Sequence, residues 1–519
     1  MPSPKRVLIL GGGHAGIQAA RELVARGRTE DAVEIAIASR DNAELWHGLM
    51  PQVLSNSIQP QHVLVPLREV LTGLGAYIYS IKSVDLKHRR VSLTRGEEGD
   101  EVVLDYDYLV IAVGSVADMS RFPGLREQGL QTKTLGDFLH LRNHLIDMLD
   151  AAAVERDPEE RARKLTFVVV GTGFAGVEIV SEANGFIRDS LRYYPGLSAS
   201  ELRFVAIDIL PRVLPNWDEQ LSEVAAQQMR RRGIELRLGL GLESASASEV
   251  VLSNGERIPT RTVIATSGVA PNPLLQTLPV EFVRGRIRCD QYCRVIGRPG
   301  VYAAGDAAAV PSASDGQPFP QMVPYALSEG RCAARNILAE IRGTRLEPYD
   351  IGRQPEVAIL SRGYGVAQVG GLRLSGLLAA LVGRFMFLSY MPNWRRRFLL
   401  LVDWVTSALV RRDITQLPLG RSQGMLPMRF SAGQTIVREG DAGSRFYIVT
   451  EGEVEVLHGS GSGGQVIRRL GPGEWFGELA LLQESRRSAT VRHGTRCVST
   501  RARSNSRSKT TAAASTGRP

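Results

Sequence analysis

Six glycines at a repeated spacing carry the first chemical signal. Gly11, Gly13 and Gly16 stand as G-x-G-x-x-G in VLILGGGHAGIQAARELVARG, and Gly171, Gly173 and Gly176 repeat it in LTFVVVGTGFAGVEIVSEA. In each, a short apolar run enters the glycines and a run with apolar 3–4 spacing leaves them. That grammar predicts strand, tight turn and helix. The first glycine makes the turn, the second lets backbone approach a pyrophosphate, and the third lets helix and strand pack closely. The helix N-terminus then offers unpaired N–H groups and a positive dipole end to phosphate. Two copies in the same context predict two dinucleotide sites.

The second strand of such a unit should end in an acid that binds a ribose 2′-hydroxyl. Asp208, in LRFVAIDIL, fills that role for the second unit, 32 residues after Gly176. A carboxylate there repels a 2′-phosphate and favours NADH over NADPH, although Arg212 lies nearby. In the first unit Ser39 and its neighbour Arg40 occupy the position, a weaker ribose clamp than an acid. Two more apolar strands end in small residues, YLVIAVGS at Gly114 and VYAAGDAAAV at Gly305 and Asp306. Asp306 could face ribitol hydroxyls, cap a following helix, or do both.

The elements that hold these residues belong to a long chain. At 519 residues it needs two or three domains, and 43% hydrophobic with 23% charged residues fits a folded protein. Four cysteines, Cys289, Cys293, Cys332 and Cys497, are too few for a disulfide scaffold, and the N-terminus carries no export signal. Cys289 and Cys293 read as small core residues, and no metal site is expected. The net charge of +9 is uneven: residues 493–519 carry six basic residues and no acid, leaving +3 for the rest. Without aromatic interleaving or a basic fold face, no nucleic-acid partner is expected.

The two glycine units, the AVGS strand and the AAGD strand together resemble the two-dinucleotide-binding flavoproteins, and most closely the type II NADH:quinone dehydrogenases. LWHGLMPQVLS, VPLREVL, KTLGDFLHLR, RVLP and ATSGVAPNP extend the likeness over about residues 5–415. It implies FAD on the first unit, held by Gly11, Gly13, Gly16, Gly114 and Asp306. It implies NADH on the second, held by Gly171, Gly173, Gly176, Glu178, Asp208 and Gly268. Glu178 could equally be a solvated helix-surface residue. Electrons would pass from NADH through FAD to a quinone, and no catalytic side chain is nominated, because the cofactors carry that chemistry. The family's A-Q-x-A-x-Q quinone segment is replaced here by Val323, Pro324, Tyr325, Ala326, Leu327 and Ser328. Pro324, Tyr325 and Ser328 remain quinone-site candidates. The disulfide-reductase branch is set aside, since residues 40–60 contain no cysteine.

Residues 374–410 read as two amphipathic helices around Pro392 and Asn393, too interrupted by charge to span a bilayer. Trp394, Arg395, Arg396, Arg397 and Trp404 suit an anionic headgroup boundary, so a peripheral position on the cytoplasmic face of the cell membrane is expected. A core hairpin or a homodimer interface is the plainer alternative. From about Leu426 short alternating strands and glycine turns predict a β-roll. FGELALLQESRRSATV resembles the phosphate cassette of cyclic-nucleotide-binding domains. The likeness implies cAMP held by Gly477, Glu478, Leu479, Arg487 and Ser488.

The expected fold class is α/β: two Rossmann-like dinucleotide-binding domains with the NADH domain inserted in the FAD domain, an amphipathic helical segment, and a small all-β cyclic-nucleotide-binding roll with a disordered tail. The expected boundaries are 1–117 and 286–345 for FAD, 118–285 for NADH, and 346–420 for membrane docking. An incomplete nucleotide roll at 421–492 and a basic unfolded tail at 493–519 complete them. The competing function is a cyclic-nucleotide receptor or redox sensor with little turnover.

Overall fold

In the computed structural model, the strand entering the first glycine loop, Lys5–Leu10, lies at the centre of a five-stranded sheet. The spatial order is Val301–Ala303, Tyr108–Ile111, Lys5–Leu10, Val33–Ser39 and Gly75–Ile78, and every pairing is parallel. Val7 to Leu10 are fully buried, as a parallel strand covered on both faces requires. The structure describes residues 4–27, 31–94, 101–119, 122–266, 268–352 and 354–417. Towards the C-terminus it describes 426–430, 433, 435–437, 439–440, 446–458, 465–478, 488–493 and 498–503.

A second parallel sheet repeats the plan in the order Gly129–Leu130, Thr262–Ala265, Thr166–Val170, Arg203–Asp208 and Ile234–Leu238. The chain rejoins the first sheet only at Val301–Ala303, so the second unit is inserted in the first, as expected. The helix after the first loop, His14–Arg26, crosses the helix Val323–Arg342 so closely that a Cβ on Gly330 would overlap the Ala15 carbonyl. Both sheets belong to one compact unit, residues 1–417.

That unit ends in three antiparallel strands, Glu356–Ser361, Tyr364–Val369 and Leu372–Gly376, and two helices, Leu377–Tyr390 and Trp394–Leu409. The helices turn at Met391 to Asn393 as the sequence indicates, and the Asn393 side chain caps the second by accepting from Arg395 N and Arg396 N. Ala379, Ala380, Gly383 and Phe387 face inward, where a Cβ on Gly383 would meet Val357 at 2.6 Å. Among the described residues no helix is long and apolar enough to cross a membrane.

Residues 418–519 form a separate unit of two four-stranded antiparallel sheets. Its described core holds Ile436, Val449, Val454, Leu470, Phe476 and Val491, with the Tyr447 and Phe476 rings stacked at 5.0 Å. Here the structure corrects the expected unfolded tail. Thr490–His493 is a strand, and Val498–Arg503 is another, paired on one side with Leu426–Phe430 and on the other with Phe446–Glu451. The segment VSTRAR alternates apolar or small with polar residues at period two, a weak strand signal that its basic, Ser-rich composition hides. Residues 504–519 lie outside the described residues.

A proline at Thr500, which pairs with both Met428 and Val449, removes a ladder donor from an interior strand. Thr500→Pro is expected to abolish the cooperative unfolding of the C-terminal unit and expose it to limited proteolysis, with the transition of residues 1–417 unchanged. Unaltered protease resistance would remove this strand from the roll.

Candidate nucleotide and flavin sites

The two glycine loops have the same construction. Gly11 and Gly171 take the left-handed region, at φ 111° and 104°. A Cβ on Gly16 would overlap the Gly11 carbonyl oxygen, and one on Gly176 would overlap that of Gly171. Between them Gly13 and Gly173 face open space, with nothing within 4 Å of where a Cβ would stand. Each is the N-cap of its helix, and no side chain caps that end. The first-turn N–H groups are thus available to an anion. These cradles fit the pyrophosphates of FAD and NADH.

Around the loops the sequence candidates divide. Ser39 is buried, its Oγ 2.6 Å from where a Gly12 Cβ would stand, whereas Arg40 is exposed and paired with Asp41 at 3.1 Å. Asp208 holds the second loop directly. Its Oδ2 accepts from Thr172 N at 2.6 Å and Thr172 Oγ1 at 3.0 Å, and its Oδ1 accepts from Leu210 N at 2.9 Å. Gly114 and Gly268, both at positive φ, stand at the ends of a two-stranded ribbon, Ser115–Ala117 against Val269–Pro271. The ribbon joins the two dinucleotide units.

At the end of that ribbon lies a polar cluster. Ser115 Oγ donates to Asp306 Oδ2 at 2.6 Å and accepts from Lys133 Nζ at 3.1 Å. Asp306 sits inside the short turn Gly305–Ala307, preceded by Ala304, so its helix-capping alternative is not realised. Four residues missed in the sequence, His14, Glu44, Trp46 and His47, complete the neighbourhood. His14 Nδ1 lies 2.6 Å from Oε1 of the buried Glu44, whose Oε2 accepts from Trp46 Nε1 at 3.3 Å. Burial, with His14 and Lys133 nearby, pushes His47 down to about 4, so it is neutral at pH 7. His47 lies in LWHGLMPQVLS, a stretch whose charge setting depends on residues from His14, 33 positions before it, to Asp306, far beyond it.

Glu329 was also missed. Its Oε2 accepts from Gly305 N at 2.6 Å while Oε1 is buried without a partner among the described residues. Burial raises it to about 8 against the opposing effects of the Gly305 bond and Arg286, so it is mostly protonated at pH 7. Glu178 is likewise no surface residue. It is buried, its Oε1 accepts from Ile359 N at 2.7 Å, and burial lifts it well above the usual carboxylate range. The contact ties the second glycine-loop helix to the strand Glu356–Ser361.

In two further sets one member is buried. Tyr325 is buried against Phe319, ring centroids 5.4 Å apart, and Ser328 Oγ bonds Pro324 O, Tyr325 O and the Tyr349 hydroxyl. The Tyr325 side chain is committed to internal packing, while Pro324 and Ser328 are half exposed. Trp404 is buried too, donating from Nε1 to Gln52 Oε1 at 2.7 Å beneath Arg384. Trp394, Arg395 and Arg397 are exposed and Arg396 half buried. The described cysteines are buried and free, with Cys289 and Cys293 raised by burial, which bears out their reading as core. Of the cyclic-nucleotide set, Glu478 is half buried, Ser488 exposed, and Gly477 has φ 87°; Leu479 and Arg487 lie outside the described residues.

With two such loops and a second domain inserted in the first, the class is a two-dinucleotide-binding flavoprotein fold. Residues 5–330 match the pyridine nucleotide-disulphide oxidoreductase family, and the chain belongs to it. Residues 427–506 match the cyclic nucleotide-binding domain, so that likeness runs past Arg492. Among curated relatives, the type II NADH:quinone oxidoreductase Ndh of Mycobacterium tuberculosis is 26% identical over 427 residues, covering 79% of this chain and 89% of the relative. The type II NADH:quinone oxidoreductase of Staphylococcus aureus is 25% identical over 383 residues, covering 72% and 92%. The structure of NDH2 from Plasmodium falciparum in complex with NADH shares the fold, with a TM-score of 0.73 and 17% identity over 79% of this chain and 99% of that one.

Glu329 supplies a pH signature. Its folded value is raised, so the unfolded carboxyl ionises first, and stability is lost as pH rises from about 4.5 to about 8. Glu329→Gln keeps the acceptor for Gly305 N without the charge. Its melting temperature relative to wild type should climb between pH 5 and pH 8 and then level off. An offset independent of pH would show that Glu329 is not held neutral.

Proposed function

We propose that this protein is an FAD-dependent NADH dehydrogenase that passes electrons to a quinone, peripheral on a membrane, with an appended cyclic-nucleotide site. The observation that carries the reading is the matched pair of open glycine cradles, joined by a ribbon whose Ser115 bonds Asp306 in the first unit. The names of the curated relatives supply the reaction class.

FAD, when bound, supplies the two-electron carrier between nicotinamide and acceptor. The chain's part is binding and position. Helix N-termini at Gly13 and Gly173 take the pyrophosphates, Asp306 takes ribitol hydroxyls, and Lys133 adds positive charge beside it. Asp208, already anchoring Thr172, takes the NADH ribose and repels a 2′-phosphate. His47, neutral at pH 7, adds no second positive charge beside Lys133. In the C-terminal unit Glu478 and Arg487 are the ribose and phosphate partners of a cyclic nucleotide, and the cassette slightly favours cAMP.

The paired helices supply the membrane dock. Leu381, Phe385, Trp394, Phe398, Val405 and Leu409 are exposed, with Phe385 at 72% and Leu409 at 82%. An apolar face of that extent marks an interaction surface, and exposed Arg395 and Arg397 beside Trp394 suit anionic headgroups.

Purified protein should be yellow, and NADH without oxygen should bleach it. Absence of flavin, or a flavin that NADH leaves oxidised, would refute the enzyme and favour a receptor. Asp208→Ala should raise KM for NADH about tenfold, the loss of one charge-assisted hydrogen bond, and narrow the preference over NADPH. Phe385→Asp with Phe398→Asp should abolish co-sedimentation with phosphatidylglycerol vesicles while ferricyanide reduction stays at the wild-type rate. Undiminished sedimentation would move the membrane contact elsewhere.

A further inference from the structure

Away from both glycine loops, a cavity of about 480 Å³ opens beside the C-terminal half of the helix Phe174–Ser190. It is lined by Asn184, Gly185, Arg188, Asp189 and the turn Arg231 to Gly233. That volume lies within the range of small-molecule sites. Its charge is unbalanced. Arg188, Arg231 and Arg232 line it against one acid, Asp189, and Arg412, Arg362 and Arg384 share a second, Glu182.

The guanidiniums converge rather than disperse. Arg232 Nη2 and Arg412 Nη1 each lie 2.9 Å from where a Cβ on Gly185 would stand, and Arg188 Nη2 lies 2.9 Å from the same point on Gly233. Gly185 is in mid-helix, where glycine costs about 0.5–1 kcal/mol relative to alanine. Its missing side chain makes room for two like charges. Arg412 is buried, with 4% of its side chain exposed, and its pair with Glu182 at 3.0 Å uses only Nη2; Asp189 lies 3.5 Å from Nη1. The Nε–H groups of Arg188, which lines the cavity, and of Arg412, beside Gly185, are buried without an acceptor among the described residues. Orphan buried donors beside converging like charges call for an anion.

We propose that this cavity is a binding site for a phosphate-bearing anion, independent of the dinucleotide loops. Guanidinium forks recognise phosphate oxygens with paired hydrogen bonds. Arg188, Arg231 and Arg232 supply the rim, and the Arg412 guanidinium supplies the floor. The source is either a soluble polyphosphate or a phospholipid headgroup, since Arg384 lies on the first docking helix and Arg412 follows the second.

The test uses the flavin-loaded full chain with inorganic pyrophosphate. At tenfold excess over its dissociation constant, pyrophosphate should raise the melting temperature by about 2 °C relative to sodium chloride at matched ionic strength. Arg188→Gln with Arg231→Gln should erase that rise. Gly185→Asp, which places a carboxylate between Arg232 and Arg412, should raise the melting temperature without ligand and erase the response. No response in the wild type, or one that survives in both variants and so arises at the glycine loops, would overturn the proposal. Vesicles separate the sources. If Gly185→Asp weakens sedimentation with phosphatidylglycerol but not with phosphatidylcholine, the anion is a lipid headgroup. If phosphatidylglycerol binding is unchanged while the pyrophosphate response is lost, it is a soluble phosphate.

Discussion

The architecture depends on two contacts in which only a hydrogen atom fits. Gly16 against the Gly11 carbonyl and Gly176 against the Gly171 carbonyl set the distance between each glycine-loop helix and its strand. That closeness turns the helix N-terminus towards the loop mouth and leaves Gly13 and Gly173 bare. A methyl group at either third glycine would push the helix away and fill the space where a phosphate belongs. The parallel sheets, the inserted domain and the joining ribbon are ways of holding these two mouths in one body.

Burial of ionisable groups is the second theme. Glu178, Glu329 and the Glu182–Arg412 pair sit where water does not reach. A buried carboxylate is costly unless it is protonated or paired. Glu329 takes the first course and burial raises Glu178 in the same direction, and each spends one oxygen on a backbone N–H from another element, Gly305 and Ile359. They therefore work as joints. Glu329 fixes the turn that presents Asp306, and Glu178 fixes the three-stranded sheet to the second unit. Glu182 takes the second course, and the surplus of arginine around it is what sets that region apart.

The sequence made legible whatever is local. Glycine spacing, the strands ending at Gly114 and Asp306, and the helical hairpin around Pro392 each follow from neighbours within a few residues. It did not disclose what depends on distant partners. Trp404 looked like a headgroup residue because its neighbours are apolar and basic, but its indole reaches Gln52, 352 positions away. Tyr325 looks open on a helical wheel and is closed by Phe319, and the half-exposed Ser328 is tied to Tyr349. Glu178 has the periodicity of either face, and only Ile359 decides between them. The strand Val498–Arg503 was hidden by composition, since its pairing with two other strands overrides a weak intrinsic preference.

The helical hairpin is apolar on its outer face. Its inner face is polar where it meets the first unit. Asp403 accepts from Gln59 N at 3.1 Å and lies 2.6 Å from His62 Nδ1, and Trp404 donates to Gln52. Phe387 packs onto Gly48, next to His47 of the flavin-side cluster. Surrounding this helix with lipid would strip Asp403 of both partners and leave a charge in hydrocarbon, a cost that exposed leucines do not offset. The same polar face that forbids insertion anchors the hairpin to Gln52, Gln59 and His62 of the first unit. On the proposed reading, an acceptor dissolved in the membrane would meet a site held by the fold rather than by a mobile tether.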